Sequence, residues 1–129
     1  MPLLIFEVIE GRSEAELKTL LDAAHRAVLS AFEVPPRDRY QIVHENKAHH
    51  MVIEDTGLNL TRTRDLVVVR VITSPRPEQQ KQRFYADLSR ELKENCGIEG
   101  SDLMVSITTN SQGDWSFGNG VAQYLTGDL

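Results

Sequence analysis

Directly behind the initiator methionine stands Pro2, and the apolar run LLIFEVI follows it. Proline gives a strand no ladder donor and is accommodated at strand starts, edges and bulges, so its plainest role is to begin a strand. Its chemical role depends on one processing step. Removal of Met1 turns the Pro2 nitrogen into a secondary amine that can act as acid or base; with Met1 in place the same nitrogen is an amide without a basic lone pair or a proton. An α-amino group has an ordinary pKa of roughly 7.7–8.0, so nearby charges decide which form stands at neutral pH. The other chemically suggestive residues are weaker. His44, His49 and His50 have neither a cysteine nor a helical i, i+4 pair among them and read as an exposed loop rather than a metal site. EDTG at 54–57 is too short for a calcium loop. Neither a metal nor an organic cofactor is expected.

The chain has 129 residues, which is most simply one domain, and its high surface-to-volume ratio favours oligomerisation. A formal net charge of -5 lacks the positive field that nucleic acid or an anionic membrane requires. Cys96 is the only cysteine, so no internal disulfide forms, and a reducing compartment suits it. Glu7 and Glu10 and the absence of a basic opening segment exclude a signal peptide, and no apolar run reaches membrane-spanning length. These features predict a cytoplasmic protein.

The elements that must position Pro2 follow from periodicity. LLIFEVIE reads as a strand, and Ser13 with Glu16 forms an S-x-x-E capping box that starts a helix. Leu17, Leu20, Leu21, Ala24, Val28 and Phe32 then recur at helical spacing until Pro35-Pro36 forbids continuation. RYQIVHE is a second strand. From His44 to Arg64 the chain is a polar excursion with a short strand at Met51–Ile53. LVVVRVIT is a β-branched run that reads as a strand covered on both faces. A helix striped by Phe84, Leu88 and Leu92 and closed by a left-handed Gly97 comes next, and LMVSIT is the fourth strand.

Adding 64 to the numbers of the first half (66 - 2 = 64) sets Pro2 over Leu66, Leu20 over Phe84, Ala24 over Leu88, Val28 over Leu92 and Asp38 over Asp102. One β-α-β unit used twice, as pseudo-repeats 1–60 and 61–129 of a single 1–129 domain, explains that register. Right-handed crossovers then place two helices on one face of a four-stranded sheet, giving an α+β fold. No further helix remains to cover the other face, so copies of the chain are expected to cover it for one another.

A duplicated β-α-β unit beginning Met-Pro resembles the tautomerase superfamily, whose members use an amino-terminal proline as the catalytic group. The likeness is closest to the malonate semialdehyde decarboxylase family and runs over the whole chain. It is carried by PLLIFEVIEGRSEAELKTLLDAAH, VPPRDRYQ, EDTGL, PRPEQQKQRFY and the ending DWSFGNGVAQYLTGDL. The resemblance implies a homotrimer with sites near subunit boundaries. It implies Pro2 as catalytic amine, Asp38 as polar partner of the reacting centre and Arg76 as the cation for a substrate carboxylate. Trp115, Phe117, Tyr124 and Leu129 match an apolar wall, with Tyr124 in place of a phenylalanine common in the family. Ser74 is a departure, because the family pattern has arginine there; Arg70 shares its strand parity, two pleats away. Without the resemblance Asp38 reads as a turn or cap residue and Arg76 as a solvated cation.

The implied activity is cofactor-free decarboxylation of a small anionic 3-oxo acid such as malonate semialdehyde. Alternatives are an enol-keto tautomerase or hydratase of small unsaturated or 2-oxo acids, and, in another class, a non-catalytic trimeric binding protein. Self-association and a small oxo-acid are the expected partners, with no nucleic acid and no membrane.

Overall fold

A computed structural model describes residues 1–129. Strand β1 (Leu3–Ile9) is followed by helix α1 (Glu14–Phe32) and strand β2 (Tyr40–Asn46). After the excursion come β3 (Val67–Thr73), α2 (Glu78–Cys96) and β4 (Leu103–Thr109), and a single turn of helix, α3 (Gln123–Thr126), closes the chain. The sheet order is β2-β1-β3-β4, with β1-β2 and β3-β4 parallel and β1-β3 antiparallel. No helix is long and apolar enough to cross a membrane.

The local signals act as chemistry requires. Ser13 accepts the Glu16 N–H and the Glu16 carboxylate accepts the Ser13 N–H, so two donors at the start of α1 are satisfied reciprocally. Gly97 closes α2 at φ 67°, a conformation that costs glycine little. Leu4, Phe6 and Val8 of β1 and Val67, Val69 and Val71 of β3 point at Leu20, Ala24, Val28 and Phe32 of α1 and Phe84, Leu88 and Leu92 of α2. These side chains are the core.

Alternation leaves the opposite sheet face open within the chain. Ile42 and Met104 are 44% and 40% exposed there. Arg70 lies on this face and donates to Glu7 at 2.8 Å, and His44 Nδ1 stands 2.9 Å from the same carboxylate oxygen. On this face its own chain covers β3 only in part, with Val68 buried, Ile72 half-buried and Arg70 exposed, whereas its continuous apolar run reads as covered on both faces. Met51–Ile53 is not a strand: the chain passes from a tight turn at Ala48–His50 into irregular backbone and has no strand partner there. The last helix was also absent from the sequence reading, because four residues carry no periodicity.

Both β1 with β3 and α1 with α2 superpose at a shift of 64, whereas Leu3 pairs with Tyr40 and Val67 with Leu103, so the final strand is shifted by 63 (103 - 40 = 63). The second half has lost one residue before its last strand. In that half Asp102 is 2% exposed and accepts both the N–H (2.6 Å) and the hydroxyl of Thr63, fastening the excursion to the core. Arg62 adds a bond to the Ser101 carbonyl at 2.7 Å. Asp102→Ala removes the buried acceptor of both Thr63 donors and is expected to cost about 1–3 kcal/mol. The check is the urea midpoint at fixed protein concentration, with Asp102→Asn falling between wild type and alanine.

Candidate active site

Strand pairing determines what surrounds Pro2. Because β2 runs parallel to β1, its first residue Tyr40 lies beside Leu3; because β3 runs antiparallel, its penultimate residue Ile72 lies on the other side of Leu3. Asp38 precedes β2 by two residues and Arg76 follows β3 by three, so both converge on the start of β1. Pro2 is buried there, in a crevice that it shares with Leu4, His25, Asp38, Tyr40 and Gln41. That crevice has no space for a water molecule.

Arg76 is held by three contacts. Its Nη1 donates to the Phe32 carbonyl at 3.1 Å, its Nε makes a long bond of 3.4 Å to Thr73 Oγ1, and its guanidinium carbon stands 4.8 Å from the centre of the Phe32 ring. Burial pushes its pKa below the ordinary guanidinium value, opposed by Tyr124 and Asp38. The charge persists, since arginine is not deprotonated in proteins. The chain-terminal ammonium of Met1, one residue before the Pro2 nitrogen, has its pKa lowered by burial first and by Arg76 second, while Asp38 pulls it up. A secondary amine at Pro2 stands among the same groups. Tyr124 completes the cluster; burial and the Asp38 charge raise its pKa, against Arg76.

An aromatic stack forms the neighbouring wall. Trp115 and Phe117 lie nearly parallel with centroids 5.4 Å apart, Tyr40 stacks on Phe117 at 5.6 Å, and Tyr124 meets Phe117 edge-on at 5.8 Å. Two amide side chains lock this wall. Asn110 accepts the indole N–H of Trp115 at 2.8 Å, and its own N–H donates to the Thr73 carbonyl at 2.9 Å. Gln123 accepts the Phe117 N–H at 2.9 Å and donates to the Gly118 carbonyl at 2.8 Å.

The structure thus gathers Pro2, Asp38, Arg76 and Tyr124, with Phe117 and Trp115 behind them. Ser74 sits half-buried in the turn that carries Arg76. Leu129 is 60% exposed, its N–H on the Gln123 carbonyl at 3.3 Å, and it does not close on the wall within one chain. Arg70 is engaged by Glu7 on the open sheet face, beside Ile5 in register, and within the chain does not join Arg76. His49 and His50 meet edge-on, and no three His, Cys, Asp or Glu side chains are arranged to hold a metal ion. Sequence reasoning missed Tyr40, Phe32, Thr73, Asn110 and Gln123. Tyr40 alone left a usable signal, as an aromatic residue opening a strand two positions after Asp38.

A carboxylate and a half-desolvated cation thus flank the chain start, at the head of a strand in a twice-used β-α-β unit. The chain belongs to the tautomerase family: a family profile described as "Tautomerase enzyme" matches residues 38–118, and a second of the same description matches residues 2–60. It is 57% identical over 129 residues, all of both chains, to the "Probable tautomerase YrdN" of Bacillus subtilis (strain 168). Among solved structures it is similar to a malonate semialdehyde decarboxylase, described with decarboxylase and hydratase activities, at 49% identity, TM-score 0.97 and 98% coverage of both chains. It is also similar to FG41 malonate semialdehyde decarboxylase inhibited by 3-bromopropiolate, at 36% identity and TM-score 0.94, covering 98% of this chain and 97% of that one. Membership makes the chain an enzyme of this superfamily, which sets aside the non-catalytic binding protein.

The electrostatics give a signed expectation for protein freed of Met1. The Pro2 amine should titrate below its ordinary value. Arg76→Ala should raise that pKa and Asp38→Asn should lower it further. An NMR titration of isotope-labelled Pro2 reads both shifts; shifts of the opposite sign would contradict the arrangement.

Proposed function

We propose that the chain decarboxylates a small 3-oxo acid such as malonate semialdehyde without a cofactor, with Pro2, freed by removal of Met1, as the reacting amine. The observation that carries this reading is the flanking of the Pro2 position by Asp38 and by the half-buried Arg76. Loss of carbon dioxide breaks the bond between the carboxylate carbon and C2. The electron pair flows through C2 into the carbonyl, giving an enolate, and protonation at C2 releases the aldehyde. A protonated Pro2 donates to the developing oxyanion, where a fixed donor in a water-poor site is worth most. Arg76 grips the carboxylate as a planar fork and orients the breaking bond. The wall of Trp115, Phe117 and Tyr124 keeps water from the departing group.

Two further points support the reading. The relative at 49% identity carries decarboxylase and hydratase activities and was also studied as a mutant in which its first residue, a proline, is alanine. The open sheet face, with Ile5, Ile42, Val68, Ile72 and Met104, and the two edge strands β2 and β4 favour assembly into a homotrimer, which brings other copies toward the sites. Light scattering is expected to give three times the 14.6 kDa chain mass, and a monomer at micromolar concentration overturns the assembly. A reducing, cytoplasmic setting suits the unpaired Cys96.

Enol-keto tautomerisation is the second reading, and the lowered pKa of the terminal amine favours it, because a neutral Pro2 is the base that reaction needs. Malonate semialdehyde and phenylenolpyruvate, offered to wild type and to Pro2→Ala, separate the two. The proposal expects decarboxylation to dominate and to fall by about a hundredfold or more in the variant, given general acid-base contributions of that order. Turnover of the enol alone, or full activity of Pro2→Ala, overturns it. Ser74→Arg adds a second cation two residues before Arg76. A charge-assisted contact is worth roughly 1.5–3 kcal/mol, so kcat/KM for malonate semialdehyde should rise about tenfold. No change in affinity would place Ser74 outside the carboxylate pocket.

A further inference from the structure

Helix α1 buries one ionisable side chain, His25, which is 9% exposed. Its Nε2 lies 2.9 Å from the carbonyl oxygen of Pro36, and since a carbonyl only accepts, Nε2 carries the proton. Pro35 and Pro36 have no N–H, so this segment can be tied down only through its carbonyls. Both carbonyls are used. That of Pro35 accepts the Asp38 N–H at 2.9 Å, and that of Pro36 accepts His25. The turn ending in Asp38 is thus held from the helix side by an imidazole that lines the same crevice as Pro2, Asp38 and Tyr40.

The second half lacks this device. At the shift of 64, Ser89 takes the place of His25 and Gly100 that of Pro36. A Cβ on Gly100 would meet Ser89 Oγ at 3.2 Å, so the backbone passes too close to the helix for an imidazole to stand between them. Asp102 is held instead by Thr63. The long buried donor occurs only in the half that carries the amine.

We propose that His25 is a positioning residue: its Nε2–H holds the Pro36 carbonyl and thereby sets Asp38 against Pro2. The inference rests on the reading of Asp38 as the polar partner of the reacting amine. His25 itself touches no substrate, since the crevice around it admits none.

His25→Gln and His25→Asn test this in the full-length protein. The glutamine amide nitrogen reaches about as far as Nε2, whereas the asparagine amide reaches only about as far as Nδ1, so only glutamine can replace the bond. Hydrogen exchange at the Asp38 amide reports the turn without any turnover. Exchange should stay near the wild-type rate in His25→Gln and accelerate about tenfold or more in His25→Asn. Turnover of malonate semialdehyde should follow: kcat falls about tenfold or more in the asparagine variant with KM within about twofold, because the Arg76 grip is untouched. In an Asp38→Asn background His25→Asn should cost nothing more. Equal exchange in the two His25 variants overturns the proposal, as does an undiminished kcat penalty in the Asp38→Asn background. Should exchange respond as expected while Asp38→Asn leaves turnover unchanged, the hold of His25 on the turn stands and the catalytic reading of Asp38 fails.

Discussion

A half-desolvated guanidinium beside the chain start is the constraint on which the rest of this structure depends. Burying a cation costs several kcal/mol unless its donors are met. Arg76 meets that cost with the Phe32 carbonyl, the Thr73 hydroxyl and the face of the Phe32 ring. A cation over an aromatic face contributes about 0.5–2 kcal/mol. The Phe32 ring is itself fixed, stacked on Phe84 at 4.8 Å where α1 crosses α2. Helix packing in the core thereby sets the position of a charge at the site. Substrate affinity and the protonation of the amine both inherit that setting.

The duplication sets two like units in unlike surroundings. Each half presents an aspartate before its second strand, at opposite ends of the sheet because β3 runs antiparallel to β1. In the first half Asp38 stands near an amine and a cation; in the second, Leu66 takes the place of proline in sequence and Asp102 is saturated by Thr63. The same residue type borders the proposed site in one copy and anchors the excursion in the other. What differs is the excursion between the halves, long enough to fold back over one copy and leave the other free. Fold and function are separable here at single positions.

The strands, the helices and their caps were legible because burial writes a period of two or near 3.6 into the sequence, and Ser13, Glu16 and Gly97 punctuate it. The duplication was legible for the same reason. The supports of the site were not. Phe32, Thr73, Asn110 and Gln123 act through single bonds to backbone or side chains distant in sequence, and such bonds leave no periodic trace. Arg70 shows the limit from another side: strand parity aligns it with Ser74, but only the β1-β3 pairing reveals that Glu7 engages it on the open sheet face. The short strand expected at Met51–Ile53 is absent because three consecutive apolar residues need a partner strand, and neither edge strand, β2 or β4, pairs with them. The roles of Pro2, Asp38 and Arg76 came from resemblance; the strand pairings supply the physical reason that they meet.

The central claim is that the reacting group is the free secondary amine of Pro2. It is tested most directly by comparing two preparations of the unmutated chain, one with Met1 removed and one with Met1 retained, each verified by intact mass. Retention changes no side chain, yet converts the Pro2 nitrogen to an amide. The account predicts malonate semialdehyde turnover in the processed chain and none above background in the chain that keeps Met1. Equal turnover by the two preparations would contradict it.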